Sequence, residues 1–193
     1  MKIVRYSFLL FFLGLSFSSI SIAQNKTTQQ TSFTVPKMPI DNDTKLINYQ
    51  GIVEATGTQK ELFNRALAWF NTYYKNPAEK LRDADSVNYK IEGFIRFKIY
   101  NPENKDGLKT EAGMVQYSLI LDFKDGKFRY SITNLNWKQV SYYAIEKWMD
   151  KNDKYYTPYF DYYLIQTDDE AKKVIKDLSS AVKKPQPKKQ DNW

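Results

Sequence analysis

Hydrophobic and polar positions follow two rhythms along this chain. Between residues 58 and 74 the rhythm is helical. Leu62, Phe63, Ala66, Leu67, Phe70, Tyr73 and Tyr74 recur on one side, with Lys60, Glu61, Asn64, Arg65, Asn71 and Lys75 opposite. Thr58 and Glu61 have the spacing of a capping box, in which hydroxyl and carboxylate each take a backbone amide. Asn76-Pro77 ends the helix, because a residue before proline is pushed out of the α region. So wide an aromatic face needs a broad apolar partner, most simply a sheet.

Elsewhere the rhythm has a period of two. Residues 44–54 read as the first strand, closed by Gly57, and residues 79–85 alternate weakly before a turn at 86–88. In residues 89–100, Ile91, Ile95, Phe97 and Ile99 point one way with Gly93 among them. Glu92, Phe94, Arg96, Lys98 and Tyr100 point the other way. Gly93 marks a bulge or a close approach of the helix. After a polar loop at 101–113, residues 114–136 form a hairpin around Asp125-Gly126, a pair suited to the two positive φ angles of a type I′ turn. That turn sets Phe123 opposite Phe128, Leu121 opposite Tyr130 and Leu119 opposite Ile132, with Asp122 facing Arg129 on the reverse side. Ser118, Ser131 and Thr133 keep the reverse face polar, but Ile120 and Leu135 also fall there, so something must cover part of it.

Residues 142–149 read as a short helix. Residues 155–163 hold six aromatics in nine positions, interrupted by Thr157-Pro158 and Asp161. Thr167 and Glu170 have capping-box spacing again, and Ala171, Val174, Ile175, Leu178, Ala181 and Val182 form a helical stripe that Pro185 and Pro187 end. The order strand, helix, strands, helix implies an α+β domain, with helices on one face of a twisted antiparallel sheet.

The N-terminus changes the picture of address. Lys2 and Arg5 precede an apolar run at residues 8–15, and small residues follow to Ala23. This is the pattern of an export signal, with cleavage expected between Ala23 and Gln24 and a periplasmic or secreted product. The apolar run is too short for a membrane span, and without cysteine there is no thioether-linked lipid anchor. The expected organisation is a signal at 1–23, a flexible lead at 24–39, one domain at 40–184 and a basic tail at 185–193. Losing Lys2 and Arg5 lowers the formal charge from +7 to +5, an excess concentrated in the last quarter. That charge would suit an anionic partner, but export argues against nucleic acid.

Composition excludes much chemistry. With no histidine and no cysteine, Ser-His-Asp and Cys-His nucleophiles are impossible, as is most zinc, copper and haem ligation. The seven glycines are scattered, so no phosphate-cradling loop exists. Asp83 and Asp85 share a strand face but read as solvated acids, and the run 41–44 lacks the glycine and distal glutamate of a calcium loop. No cofactor, metal site or catalytic residue is expected. Candidate ligand-binding residues are Phe94, Arg96, Tyr100 and Arg129 on the polar sheet face, joined by Tyr155 and Tyr159. Two arginines among aromatics can hold an anion or a planar ligand, and the aromatic segment is expected to form a groove with that face.

The run from Tyr49 to Glu54 (YQGIVE), then Gly57, Lys60-Glu61-Leu62-Phe63, Arg65-Ala66 and Trp69, and later Asp85 with Lys90-Ile91-Glu92-Gly93, carries a resemblance. Over residues 40–136 the chain resembles a family of exported Gram-negative proteins of unknown function, described as having a TATA-box-binding-protein-like fold. The resemblance implies a curved sheet with helices on its convex side, and no activity. It leads to glycine before Lys90-Ile91, where this chain has Tyr89. The resulting expectation is an exported, non-enzymatic binding module of the bacterial envelope, with an unknown envelope protein or small molecule as partner. A structural or accessory envelope protein acting through protein contacts is the alternative, and a carboxylate-based hydrolase comes third.

Overall fold

The computed structural model describes residues 32–139 and 141–185. The expected signal segment, its cleavage site, the start of the lead and most of the basic tail lie outside the described residues.

The first helix forms as its pattern requires. α1 (Gln59–Tyr73) starts at Thr58, whose hydroxyl accepts the Glu61 amide while the Glu61 carboxylate accepts the Thr58 amide. Leu62, Phe63, Ala66, Trp69 and Phe70 are buried. Arg65, read as part of the polar side, is buried too, because its guanidinium donates to the Thr56 carbonyl and to the Val182 carbonyl at the end of the last helix. The chain leaves α1 at Tyr74, and a short α2 (Pro77–Lys80) follows Asn76, which takes φ 55°.

Six strands make one open antiparallel sheet: β1 (Tyr49–Glu54), β2 (Leu81–Asp85), β3 (Lys90–Tyr100), β4 (Glu111–Lys124), β5 (Lys127–Lys138) and β6 (Tyr142–Ala144). Their order is β1-β5-β4-β3-β2, with β6 pairing the far half of β5. The first strand is shorter than the 44–54 pattern suggested, because residues 41–44 form a turn in which the Asp41 carboxylate accepts the Thr44 amide. The register of β4 and β5 is the one alternation gives: Phe123 opposes Phe128, Leu121 opposes Tyr130, Leu119 opposes Ile132 and Asp122 opposes Arg129.

The turn between β4 and β5 is not type I′, since only Gly126 of the central pair has positive φ (77°). Its polar groups are committed elsewhere. The Gly126 amide donates to the Gly57 carbonyl, the Gly126 carbonyl accepts the Ala55 amide, and the Asp125 carboxylate accepts the Gln59 amide. Docking on the β1–α1 connection thus sets the turn geometry. Leu135 departs from expectation as well. Asn134 takes φ 55° where the β4–β5 register shifts, and this bulge turns Leu135 into the core, where it is 1% exposed.

The region read as a short helix is strand β6 followed by a 3-10 turn, Ile145–Met149. The last helix, α3 (Pro158–Lys183), begins well before Thr167. Thr157 is its N-cap and Pro158 its first residue, while the Thr167 hydroxyl donates to the Tyr163 carbonyl inside the helix, so the second capping box does not exist. α1 and α3 lie on one face of the sheet, and the core sits between. Gly93 lies under α1: a Cβ there would stand 2.7 Å from the Phe70 ring. Of the polar lead, residues 32–39 have no regular structure, yet Val35 and Met38 pack on the core. No helix among the described residues is long and apolar enough to cross a membrane.

Candidate functional site

Pairing along the ladder maps the sheet face away from α1 and α3. Lys90, Asp122, Arg129 and Ile52 form one row across it; Glu92, Ile120, Ser131 and Gln50 form the next. Phe94, Ser118 and Thr133 follow, then Arg96, Gln116 and Asn136. In the Phe94 row the middle strands carry only Ser118 and Thr133, which leaves Phe94 as the largest apolar group of that row.

Two guanidiniums bracket that ring. Arg96 lies 5.5 Å from the Phe94 centroid and Arg82 lies 4.6 Å from it. Arg82 arrives there through a register shift between Leu81 and Asp83, which lets β2 bulge beside β3. Weak alternation in this strand gave no sign of it, so Arg82 was missed in the sequence. Arg96 also donates to the Gln116 side-chain oxygen (3.3 Å), but neither arginine is ion-paired with a carboxylate among the described residues. A cavity of about 160 Å³ opens beside the ring, lined by Glu79, Lys80, Phe94 and Arg96.

The other candidates do not join this site. Tyr100 lies past a register shift at the end of β3, where it lines a cavity with Gln166 and Glu170 of α3, and its ring meets the Lys109 ammonium at 5.7 Å. Arg129 sits four residues along and two strands across from Phe94, roughly 13 Å by about 10 Å from strand geometry, and its guanidinium is paired with Asp122 at 2.9 Å. The aromatic segment lies on the opposite side of the sheet. It is the start of α3, and Phe160 and Tyr163 pack against Trp137 and Trp148 in the core. Tyr155 and Tyr159 are exposed there. The expected groove between this segment and the polar face is therefore not formed, and with Leu135 turned inward the face needs less cover.

Acids are occupied in local structure. The Asp85 carboxylate accepts the Val87 and Asn88 amides and the Asn88 side chain, which hold it below the usual carboxylate range and close the β2–β3 turn. Asp168, buried in α3, accepts the Tyr49 hydroxyl and pairs with Lys172. No group of three carboxylates is placed to hold a metal ion among the described residues.

A profile for a domain of unknown function (DUF4468) with a TBP-like fold matches residues 49–138, the span from the start of β1 to the end of β5. Those residues belong to that family. Two solved structures share the fold. A TBP-like protein from Parabacteroides distasonis matches with a TM-score of 0.52 at 16% identity, covering 74% of this chain and 97% of its own. A DUF4468 family protein from Bacteroides ovatus matches with a TM-score of 0.59 at 15% identity, covering 78% of this chain and 91% of its own. No curated protein matches the sequence. The DUF4468 match ends before β6 and α3, although α3 supplies Leu164, Ala171, Val174 and Leu178 to the core beneath the matched strands.

Proposed function

We propose that the protein is an exported, non-enzymatic binding module whose binding surface is the sheet face away from α1 and α3, centred on Phe94. One observation carries this reading: an aromatic ring bracketed by the Arg82 and Arg96 guanidiniums, neither of them ion-paired among the described residues. A carboxylate or another planar anionic group can lie against such a pair. The leader-like N-terminus supports export. A binding role rather than catalysis rests on the absence of histidine and cysteine and on Asp85 being taken up by its turn.

The test is affinity capture from a bacterial envelope extract, with mass spectrometry for proteins and small molecules. An Arg82→Ala/Arg96→Ala double variant should lose the species that the native protein recovers. Its thermal midpoint should stay within a few degrees, as is usual for surface substitutions. Retention of the same species by the double variant rejects this face as the binding surface.

A further inference from the structure

Sheet pairing stops short along β3. β2 pairs it only from Lys90 to Gly93, and no described strand lies beyond residues 94–99 on that side. The far end is closed by α3: the Gln166 side chain accepts the Tyr100 amide at 3.0 Å and donates to the Tyr100 carbonyl at 2.9 Å. Those two bonds also reveal direction. Tyr100 turns both backbone groups toward the edge, and in an antiparallel ladder every second residue does the same. Phe94, Arg96 and Lys98 therefore present amides and carbonyls outward, while Ile95, Phe97 and Ile99 turn theirs to β4.

A cavity lies on each face beside this stretch. The one next to Phe94 and Arg96 belongs to the outer face. The second, about 250 Å³, lies between β3 and α3, lined by Phe97, Tyr100, Gln166 and Glu170 among others. Successive side chains of an added strand point to opposite faces, so neighbours in its sequence would enter one cavity and then the other. The outer cavity favours acid. Arg82 and Arg96 have no carboxylate partner among the described residues, Lys80 stands beside them with its ammonium on the Lys75 carbonyl, and Glu79 is the one acid in the lining. The inner cavity is rimmed by Lys98, Asp169, Glu170 and Lys173, and its one half-buried apolar ring is Phe97, against which an apolar side chain of the added strand would lie. A second copy of the chain fits poorly, because antiparallel pairing of two such edges about Phe97 would set Arg96 of each copy opposite Lys98 of the other.

We propose that residues 94–99 of β3 accept a strand from a partner protein, an extended segment that places an acidic side chain against Arg82 and Arg96 and an apolar neighbour against Phe97. This rests on the binding-module reading and names the chemistry of its partner. Backbone hydrogen bonds supply the grip, and the two cavities select the sequence.

The experiment titrates the folded protein with a capped hexapeptide of alternating glutamate and valine, followed by amide NMR. The expected result is saturable binding with slowed hydrogen exchange at the Phe94, Arg96 and Lys98 amides. A lysine–valine peptide should not bind. A glutamate–valine peptide N-methylated on the edge-facing residues keeps its charge but loses its donors, and should not bind either. Arg82→Ala and Arg96→Ala should each weaken binding about tenfold, the loss expected for a charge-assisted hydrogen bond. Equal binding of the N-methylated peptide overturns strand addition while leaving Arg82 and Arg96 as an anion site. No change at the three amides at millimolar peptide also overturns it, whatever the capture experiment gives. A Lys98→Pro variant that keeps its thermal midpoint and still binds the glutamate–valine peptide tightly is equally decisive against it.

Discussion

Tyr89 holds a backbone position that glycine fits best. It takes φ 51° at the turn into β3, and its carbonyl accepts the Phe123 amide. The ring offsets the strain by meeting Phe63 edge-on, with centroids 5.7 Å apart. Left-handed strain of about 1 kcal/mol stands against an aromatic contact of about 0.5–1.5 kcal/mol. Tyr89→Gly should therefore remain within about 1 kcal/mol of the native protein in urea denaturation. Tyr89→Val, which keeps the strain and loses the ring, should cost clearly more than 1 kcal/mol. Equal losses for the two would remove this account. Arg65 teaches the converse lesson about legibility. Helical spacing places it on the polar side, and the carbonyls of Thr56 and of the distant Val182 explain why a guanidinium is buried there. Local pattern gives the direction of a side chain and says nothing of what arrives to meet it.

Elements whose signals are short-range were legible, and those decided by distant contacts were not. The β4–β5 register follows from a period of two and a two-residue loop, both contained in one stretch. The turn's backbone geometry instead answers to Ala55, Gly57 and Gln59. At α3 two start signals competed. Thr157-Pro158 offers a cap and a proline at the first helical position, while Thr167 and Glu170 imitate a capping box. The aromatic run and Asp161 hide the earlier start, because a carboxylate interrupts the apolar stripe. Asp161 is in fact buried, with Lys151 at 3.2 Å. Thermal or urea unfolding separates the two positions. Thr157→Ala should destabilise by about 1 kcal/mol through loss of the cap, whereas Thr167→Val, which loses only a hydroxyl turned back on its own helix, should cost well under that. A larger loss at Thr167 would mean that the later residue is the true helix start.

At the scale of the whole molecule, tyrosine burial couples stability to alkaline pH. Burial pushes Tyr49, Tyr74 and Tyr117 well above their ordinary value and Tyr73 up to about 12. The unfolded chain releases these protons near pH 10, while the folded chain keeps them. Their contribution is thus complete below about pH 10 and is lost as pH rises through the folded values. The thermal midpoint should fall above about pH 10, and absorbance at about 295 nm should show tyrosinate appearing together with unfolding. Ionisation of all tyrosines near pH 10 with native circular dichroism intact would contradict this. The candidate site was legible in part on the same scale. Phe94 and Arg96 lie on one strand and alternate visibly, whereas Arg82 depends on a bulge and the placement of Tyr155 on which side of the sheet α3 takes.

The connectivity of the sheet has a kinetic consequence. β3, β4 and β5 follow one another as a meander, so each pairing closes a short loop and loses little chain entropy. β1 must instead wait for β5, pairing Tyr49 with Ile132, and Arg65 reaches Val182 across 117 residues. Loop-closure entropy therefore leads us to expect two tempos in folding, with the central strands pairing first and the two ends of the domain, which enclose the core, joining last.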